Sequence, residues 1–368
     1  MHAFFENLLP EGDQRRIVGV RHQVSTVFGL LAATGGDNAG SLVLLPEGQV
    51  PQPPVYQPLT WEQVNALLHA DGTLAQQREQ IEAAAAGMPN PRLSISGTQF
   101  KMPLFIDAQC MPLRPMGASP STHILKPDIV RTDISISASA VNETIVMRAA
   151  ARCGLPVAEV SCQPVTKACL VRRFDRIARA DGSLRRLWQA DFCQLLGKPS
   201  DVKYEHDGGP SFSDCYRLLQ MSATPGVDRR HLLRWLFFNL YMGNNDSHAK
   251  NLSLLATPEG TKLAPFYDLM STRVYSGLGQ NFAFAIGGES VPGQIGARQV
   301  AALAAEIGVR PRYLAGIARA VAADVADAIP AAAKEIDPLL GPSERILAGR
   351  LVERISDLAR KASARLLT

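Results

Sequence analysis

Residues 232–255 read LLRWLFFNLYMGNNDSHAKNLSLL, and no other stretch limits the fold as much. A helix-length segment that is apolar on nearly every face is stable only inside a sizeable core. It runs straight into the polar NNDSHAKN (244–251) and then into LSLL, a strand-like run. A loop anchored at both ends by core holds its polar groups in place, facing a common space. An ordinary turn needs only Asn and Asp, so His248 and Lys250 are surplus to that reading. Three readings compete for this loop: a polar turn, a metal site and a general-base loop.

The 368 residues, 46% hydrophobic and 20% charged, suffice for two lobes or two domains with real cores. A net charge of +4 permits a phosphate or nucleic-acid partner without demanding one. The six cysteines (Cys110, Cys153, Cys162, Cys169, Cys193, Cys215) form no CxxC pair and mostly sit in apolar runs such as KACLV, as reduced buried thiols do. Glu6 stands where a signal peptide would be basic, and no apolar stretch reaches membrane length. The expected setting is cytoplasmic, with no membrane.

Along the chain, Phe4, Phe5, Leu8 and Leu9 recur at helical spacing, and VSTVFGLLAATG predicts a second helix. SLVLL (41–45) is strand-like, and the five prolines within 46–58 predict a connector and no element. TWEQVNALLHA predicts a helix capped by Thr60, with another over 73–86. RLSISGTQFKMPLFI reads as two strands broken at Gly97, and HILKP, PVAEVSC and ACLVRRF as further strands. SASAVNETIVMRAAARCG predicts a helix with Ser137 or Ser139 as N-cap and Gly154 at its end. SLRRLWQADFCQLLG, SFSDCYRLLQMSA and DRRHLLRWLFFNLYMG have helical periodicity, as does the chain after 297. A strand-rich first half and a helical second half predict two lobes with a cleft.

Zinc needs three or four closely spaced His, Cys or carboxylate ligands, and His248 has no His at i+4 and no nearby Cys. A carboxylate beside hard-cation ligands fits better. Asp246 would accept a hydroxyl proton, and Asn251, five residues on, would offer an amide oxygen to Mg2+. A second metal carboxylate is then expected beyond a short hairpin. LAPFYDLMS supplies Asp268, preceded by Tyr267, twenty-two residues after Asp246. Upstream, SISGTQFK has one glycine and is no Walker loop, yet offers small, donor-rich backbone for phosphates. Lys126 ends a strand, and Glu143 on the next helix is a carboxylate that would orient such a lysine. Each feature has a dull alternative: a surface turn, a solvated lysine, a helix N-cap. Their order along the chain matches phosphoryl transfer.

The blocks FFENLLPEG (4–12), SISGTQFK (94–101), HILKP (123–127), VNE (141–143), LVRRFDR (170–176), KYEHDGGPS (203–211), NNDSHAKN (244–251) and LAPFYDLMS (263–271) together resemble the HipA family of bacterial toxin kinases. The resemblance implies an α+β, bilobed eukaryotic-protein-kinase-like fold, with a strand-rich N-lobe, an all-helical C-lobe and ATP in the cleft. Residues 1–58 would form an N-terminal subdomain and connector, 59–176 the N-lobe and 177–368 the C-lobe. It implies an ATP- and Mg2+-dependent serine/threonine kinase toxin that halts translation by modifying an aminoacyl-tRNA synthetase. Asp246 would be the catalytic base, with Asn251 and Asp268 on the metal. Lys126, with Glu143 in support, would contact phosphates covered by Ser96, Gly97, Thr98, Gln99, Phe100 and Lys101. Arg172, Arg173 and Phe174 would form the hinge to adenine, and His248, Ala249, Lys250 and Tyr267 would line the nucleotide site.

Ser94 and Ser96 would be autophosphorylated, adding roughly −1.5 to −2 charge each and expelling the loop. The implied partner is a HipB-like helix-turn-helix antitoxin, a HipS-like small protein, or both, with DNA reached only through it. Beginning at the FFENLLP helix, the chain resembles the short HipT type, and Phe4, Phe5, Leu8 and Leu9 would be an unpartnered docking face. Arg172 stands where full-length relatives carry Glu. KYEHDGGPS reads as a turn with a cap near Ser211, against a role shaping the cleft wall, and the arginines of the last helix read as a solvated face, against DNA or antitoxin contact. Two rival readings are a small-molecule kinase on the same fold and an inactive antitoxin-binding module that takes part in operon repression.

Overall fold

A computed structural model describes residues 2–11, 15, 18–20, 22–70, 100–129 and 135–367. The chain divides into two compact units, Met1–Val130 with Glu159–Gln189, and Arg131–Ala158 with Ala190–Thr368. The helix expected over 73–86, the strand before Gly97, and Ser94, Ser96, Gly97, Thr98 and Gln99 lie outside the described residues.

The first unit is built on an antiparallel sheet of strands β1 (Val55–Pro58), β2 (Met102–Ile106), β3 (Pro112–Met116), β4 (His123–Lys126), β5 (Val160–Gln163) and β6 (Ala168–Arg172). Their order is β1-β3-β2-β4-β6-β5. The Trp61–Ala70 helix lays Val64, Leu67 and Leu68 against Met102, Leu104, Leu125 and Ala168. Each such burial contributes roughly 1.5–3 kcal/mol. Thr60 caps this helix reciprocally: its hydroxyl accepts from the Gln63 N–H, and the Gln63 side chain accepts from the Thr60 N–H at 2.8 Å. The proline-rich 46–58 segment is not wholly a connector. It ends in β1, and prolines are tolerated there because β1 is an edge strand that leaves one side of its backbone unpaired.

SLVLL makes no strand. Its backbone folds back, the Leu44 N–H donating to the Gly35 carbonyl, and Leu42 and Leu44 pack on a cluster of Leu8, Leu9, Val18, Leu30 and Leu31. That cluster also corrects the expected docking face: Leu8 and Leu9 are buried and Phe5 packs against them. Among the described residues of this region, the exposed large apolar ones are Val20 and Phe28.

Beneath the GGDNAG turn lies a buried charge network that the sequence reading missed. Asp37 and Asp175 face Arg173 and Arg176, with ion-pair distances from 2.7 to 3.4 Å and no side chain more than 5% exposed. Burial alone would raise Asp175, but the two guanidiniums and the Gly40 N–H hold it at about 2.

In the second unit the Pro225–Met242 helix is sequestered on almost every face after its first turns, with Trp235, Phe237, Phe238 and Tyr241 all inaccessible. It packs with the Pro311–Ile336 and Pro342–Leu367 helices, and these in turn pack on the Ser139–Arg152 helix. The last of these buries Leu347, Leu351 and Ile355 and exposes Arg350, Arg354, Arg360 and Lys361. The unit is not all helical, because β9 (Gln189–Asp191), β10 (Ser253–Thr257) and β11 (Gly260–Leu263) form a small sheet in the order β11-β10-β9.

SLRRLWQADFCQLLG is therefore more strand than helix, six residues against four, contrary to its periodicity. Leu184–Arg186 pairs with Arg176–Ala178, β9 follows, and only Phe192–Leu195 is helical, started by an Asp191–Gln194 capping box. Pairing partners elsewhere in the chain override local spacing. Neither Ser137 nor Ser139 caps the Ser139–Arg152 helix. The N-cap is Ala138 in the left-handed region, and the Ser137 carbonyl accepts instead from the Tyr275 hydroxyl.

Candidate functional site

The polar loop starts where Gly243 ends the Pro225–Met242 helix. Gly243 takes φ 63°, and a Cβ there would press on Leu358 and Arg273, so both conformation and space demand glycine. Asn244 then ties the loop back to the helix, its amide donating to the Asn239 side chain at 2.7 Å. The Asn244 carbonyl oxygen of the side chain accepts from the Asp246 N–H. The Asp246 backbone carbonyl accepts from the His248 N–H at 3.0 Å and from Asn251 Nδ2 at 2.9 Å. The result is a short loop that displays the half-exposed Asp246 carboxylate above a buried His248, whose Nε2 lies 3.8 Å from it. Ala249–Asn251 forms one 3-10 turn, with Ala249, Lys250 and Asn251 buried.

Asp268 is held against this loop. The stretch following it turns back, and the Thr272 and Arg273 N–H groups and the Thr272 hydroxyl all reach the Gly243 carbonyl at 3.1 Å. The Asn245 N–H donates to the Thr272 hydroxyl oxygen, and its side chain donates to the Gly279 carbonyl, both at 2.9 Å. On the far side Asn142 clamps Ser271 with both amide atoms, donating to its carbonyl at 2.8 Å and accepting its N–H at 2.9 Å. Tyr267 donates to the Lys250 carbonyl and accepts from Ser253, and burial pushes its phenol far above the usual range. Asp268 itself has φ 62°, a left-handed backbone that a non-glycine residue keeps only when its surroundings impose it.

The second unit thus brings Asp246, His248, Ala249, Lys250, Asn251 and Tyr267 into one hydrogen-bonded assembly, with Asp268 between Tyr267 and the bonded stretch Ser271–Arg273. Glu143 is buried on the neighbouring helix beside Asn142. Three contributors were missed. Asn142 lies in VNE beside the residue that drew attention, Asn239 is hidden within an apolar helix, and Tyr204 lies in the unassigned KYEHDGGPS. The Tyr204 hydroxyl donates to Asp246 Oδ1, and its ring meets His248 edge-on at 5.0 Å. Its only signal was that the motif carried more polar groups than a turn needs.

Among the described residues no three His, Cys, Asp or Glu side chains gather as a metal site. Asn251 and Asp268 nonetheless fit Mg2+, which takes one or two protein ligands and completes its shell with water and phosphate. The Asn251 amide nitrogen is committed to the Asp246 carbonyl, which leaves its oxygen, a hard donor, for a cation.

In the first unit Lys126 and Lys101 are both buried, one step beyond the registered pair Met102–Leu125 of β2 and β4, and so fall opposite one another. Two cations so placed favour an anionic ligand. Phe100 is half-buried and packs on both apolar clusters of this unit. Arg172 is exposed and pairs with Glu159 at 2.9 Å, and Phe174 is half-buried. The Arg173 side chain is committed to the buried network and its N–H to the Thr122 carbonyl. Lys126 and Glu143 belong to different units.

The model of the HipA-like C-terminal domain matches residues 93–329, well over half of the chain. The chain belongs to the HipA family. The model of the HipA N-terminal domain matches residues 1–45. A putative kinase of Sinorhizobium fredii, Y4mE, is 41% identical over 290 residues, 77% of this chain and 67% of the relative. The serine/threonine-protein kinase toxin HipA of Shewanella oneidensis is 31% identical over 357 residues, 92% of this chain and 78% of its own. The solved complex of Shewanella oneidensis HipA with HipB and operator DNA aligns with a TM-score of 0.83 at 28% identity, covering 98% of this chain and 84% of the HipA-family chain it matches. This HipA-family chain is an enzyme of the protein serine/threonine kinase class, with a mixed α and β fold, and kinase chemistry implies ATP. No helix among the described residues is long and apolar enough to cross a membrane.

Proposed function

We propose that this HipA-family kinase is the toxin of a toxin–antitoxin pair and transfers the γ-phosphoryl group of ATP, with Mg2+, to a serine or threonine of an aminoacyl-tRNA synthetase, halting translation in the cytoplasm. One observation carries the reading: the Asp246 loop and the Asp268 segment are bonded into one piece through Gly243, Asn245 and Thr272. Phosphoryl transfer asks for such fixed spacing between a base and a metal ligand, because its catalysis is mostly positioning.

In this reading Asp246 accepts the proton of the incoming hydroxyl, and Asn251 and Asp268 hold the metal. Bound Mg2+ would neutralise charge on the phosphates. Lys126, supported by Glu143, contacts the phosphates together with Lys101 and residues 96–100, and His248, Ala249, Lys250 and Tyr267 shape the nucleotide site. Arg172, Arg173 and Phe174 meet adenine, Arg173 through its backbone carbonyl because its side chain and its N–H are committed elsewhere. The architecture is a bilobed kinase-like one, divided functionally at about 58 and 176, with ATP in the cleft, and the short HipT type is the subtype the sequence resemblance implies. The Shewanella HipA was solved with HipB and operator DNA. By that likeness the neutralising partner here is a HipB-like protein or a HipS-like one, and DNA is reached through it.

The test is incubation with labelled ATP and Mg2+, alone and with each aminoacyl-tRNA synthetase of the host, followed by mapping of the phosphate. Label is expected on Ser94 or Ser96 and on one synthetase. A protein that labels neither itself nor any synthetase, and behaves like its Asp246→Ala variant, is not this kinase. Exchanging Ser94 and Ser96 for Asp is expected to weaken ATP binding at least tenfold by calorimetric titration, since each charge costs on the order of 1 kcal/mol or more beside phosphates. Unchanged affinity removes the proposed off switch.

A further inference from the structure

The residues KYEHDGG (203–209) form a built support for a single side chain, Tyr204. Its carbonyl accepts from the N–H groups of Asp207 at 3.1 Å and Gly209 at 2.9 Å. Gly208 turns the chain with φ 84°, and its carbonyl accepts from Lys198 Nζ at 2.9 Å. The Glu205 carboxylate accepts from the Ala285 N–H at 2.9 Å, pinning the next residue. Gly209 has no unusual φ, yet a Cβ there would collide with the carbonyl oxygens of Val202 and Tyr204. The paired glycines thus answer two separate demands, one of conformation and one of space. What they deliver is a phenol hydroxyl on Oδ1 of Asp246 and a ring edge-on to His248.

We infer that Tyr204 is a positioning residue for phosphoryl transfer, fixing the Asp246 carboxylate at the angle from which it takes the acceptor's proton. The inference rests on Asp246 as general base. In the transfer the acceptor oxygen bonds to the γ-phosphorus while the bond to the β,γ-bridging oxygen breaks. ADP leaves with that electron pair, and the acceptor proton passes to the carboxylate of Asp246. A half-exposed carboxylate turns freely about its Cβ–Cγ bond. A phenol hydrogen bond to one oxygen, charge-assisted and anchored by a rigid turn, removes that freedom before the acceptor arrives. Tyr204 contacts the base and not the reacting atoms, so it acts through Asp246.

A double-mutant cycle separates this role from a structural one. Phosphotransfer to the protein substrate, or to the kinase itself, is measured at saturating ATP for wild type, Tyr204→Phe, Asp246→Asn and the double variant. Tyr204→Phe is expected to lower kcat roughly 10- to 100-fold, the worth of a hydrogen bond to a charged group, with KM for ATP and the thermal midpoint unchanged. In the Asp246→Asn background the same change is expected to do nothing further to the residual rate. If Tyr204→Phe leaves kcat unchanged, or lowers it by the same factor in both backgrounds, Tyr204 does not act through Asp246. An Asp246→Asn variant as fast as wild type overturns the general-base reading, and this inference with it.

Discussion

Asp246→Asn is expected to slow phosphotransfer by ~10²- to 10⁴-fold, the usual contribution of a positioned general base. Labelled ATP, Mg2+ and a timed gel assay suffice to read it. The substitution is nearly isosteric, and the loop's shape comes from backbone groups of Asp246, whose carbonyl accepts from His248 and Asn251. The carboxylate is 47% exposed, so its charge contributes little to folding. The expected pattern is therefore an unchanged urea midpoint and unchanged ATP affinity with a large loss of rate. A variant that also unfolds at lower urea would show that the carboxylate serves the fold, and the assignment of Asp246 as base would lose its support.

Arg173→Ala is expected to do the opposite, costing about 3–5 kcal/mol of stability because it strands buried carboxylates beside a partner removed from the core. Its guanidinium bonds Asp175 with two nitrogens at 2.7 and 2.9 Å and also reaches Ser121 and the Asn38 carbonyl. Equilibrium urea unfolding measures the loss. The acid limb carries a second signature. Asp175 stands at about 2 in the fold, below the ordinary carboxylate value of 3.8, so its contribution is complete above about 4 and lost as pH falls towards 2. The variant should lose that part of the acid transition. An Arg173→Ala protein that is fully stable and simply binds ATP poorly would mean that the side chain serves the nucleotide and not the fold.

The contrast between these two residues indicates what the sequence made legible. The placement of Asp246 and Asn251 on a polar loop between a buried helix and a strand, and of Asp268 beyond the next hairpin, was legible because it follows from residue type and spacing along the chain. The family resemblance alone makes Arg173 part of a hinge, through LVRRFDR. The Arg173 side chain also faces Asp37, 136 residues away in a glycine-rich turn, and no local pattern records that pairing. Asn142 was passed over for Glu143 on similar grounds, since its clamp on Ser271 spans 129 residues. The helices that pack on one another matched their periodicity, whereas the segment 184–195 did not: its first strand closes a hairpin with Arg176–Ala178, and the Phe192 N–H donates to the distant Leu252 carbonyl. Local chemistry was visible, and long-range satisfaction of polar groups was not.

The convergence on the Gly243 carbonyl has a mechanical consequence. A kinase that is silenced by swinging its metal-binding Asp away from its base needs a joint between the two, and here that stretch is riveted by donors from Thr272, Arg273 and, through Thr272, Asn245. Opening it would mean breaking several buried hydrogen bonds at once, each worth roughly 0.5–1.5 kcal/mol. The loop that carries Asp246 and the stretch that follows Asp268 are thus tied into one block. Restraint of such an enzyme has to be imposed from outside the block, by what is allowed to reach it.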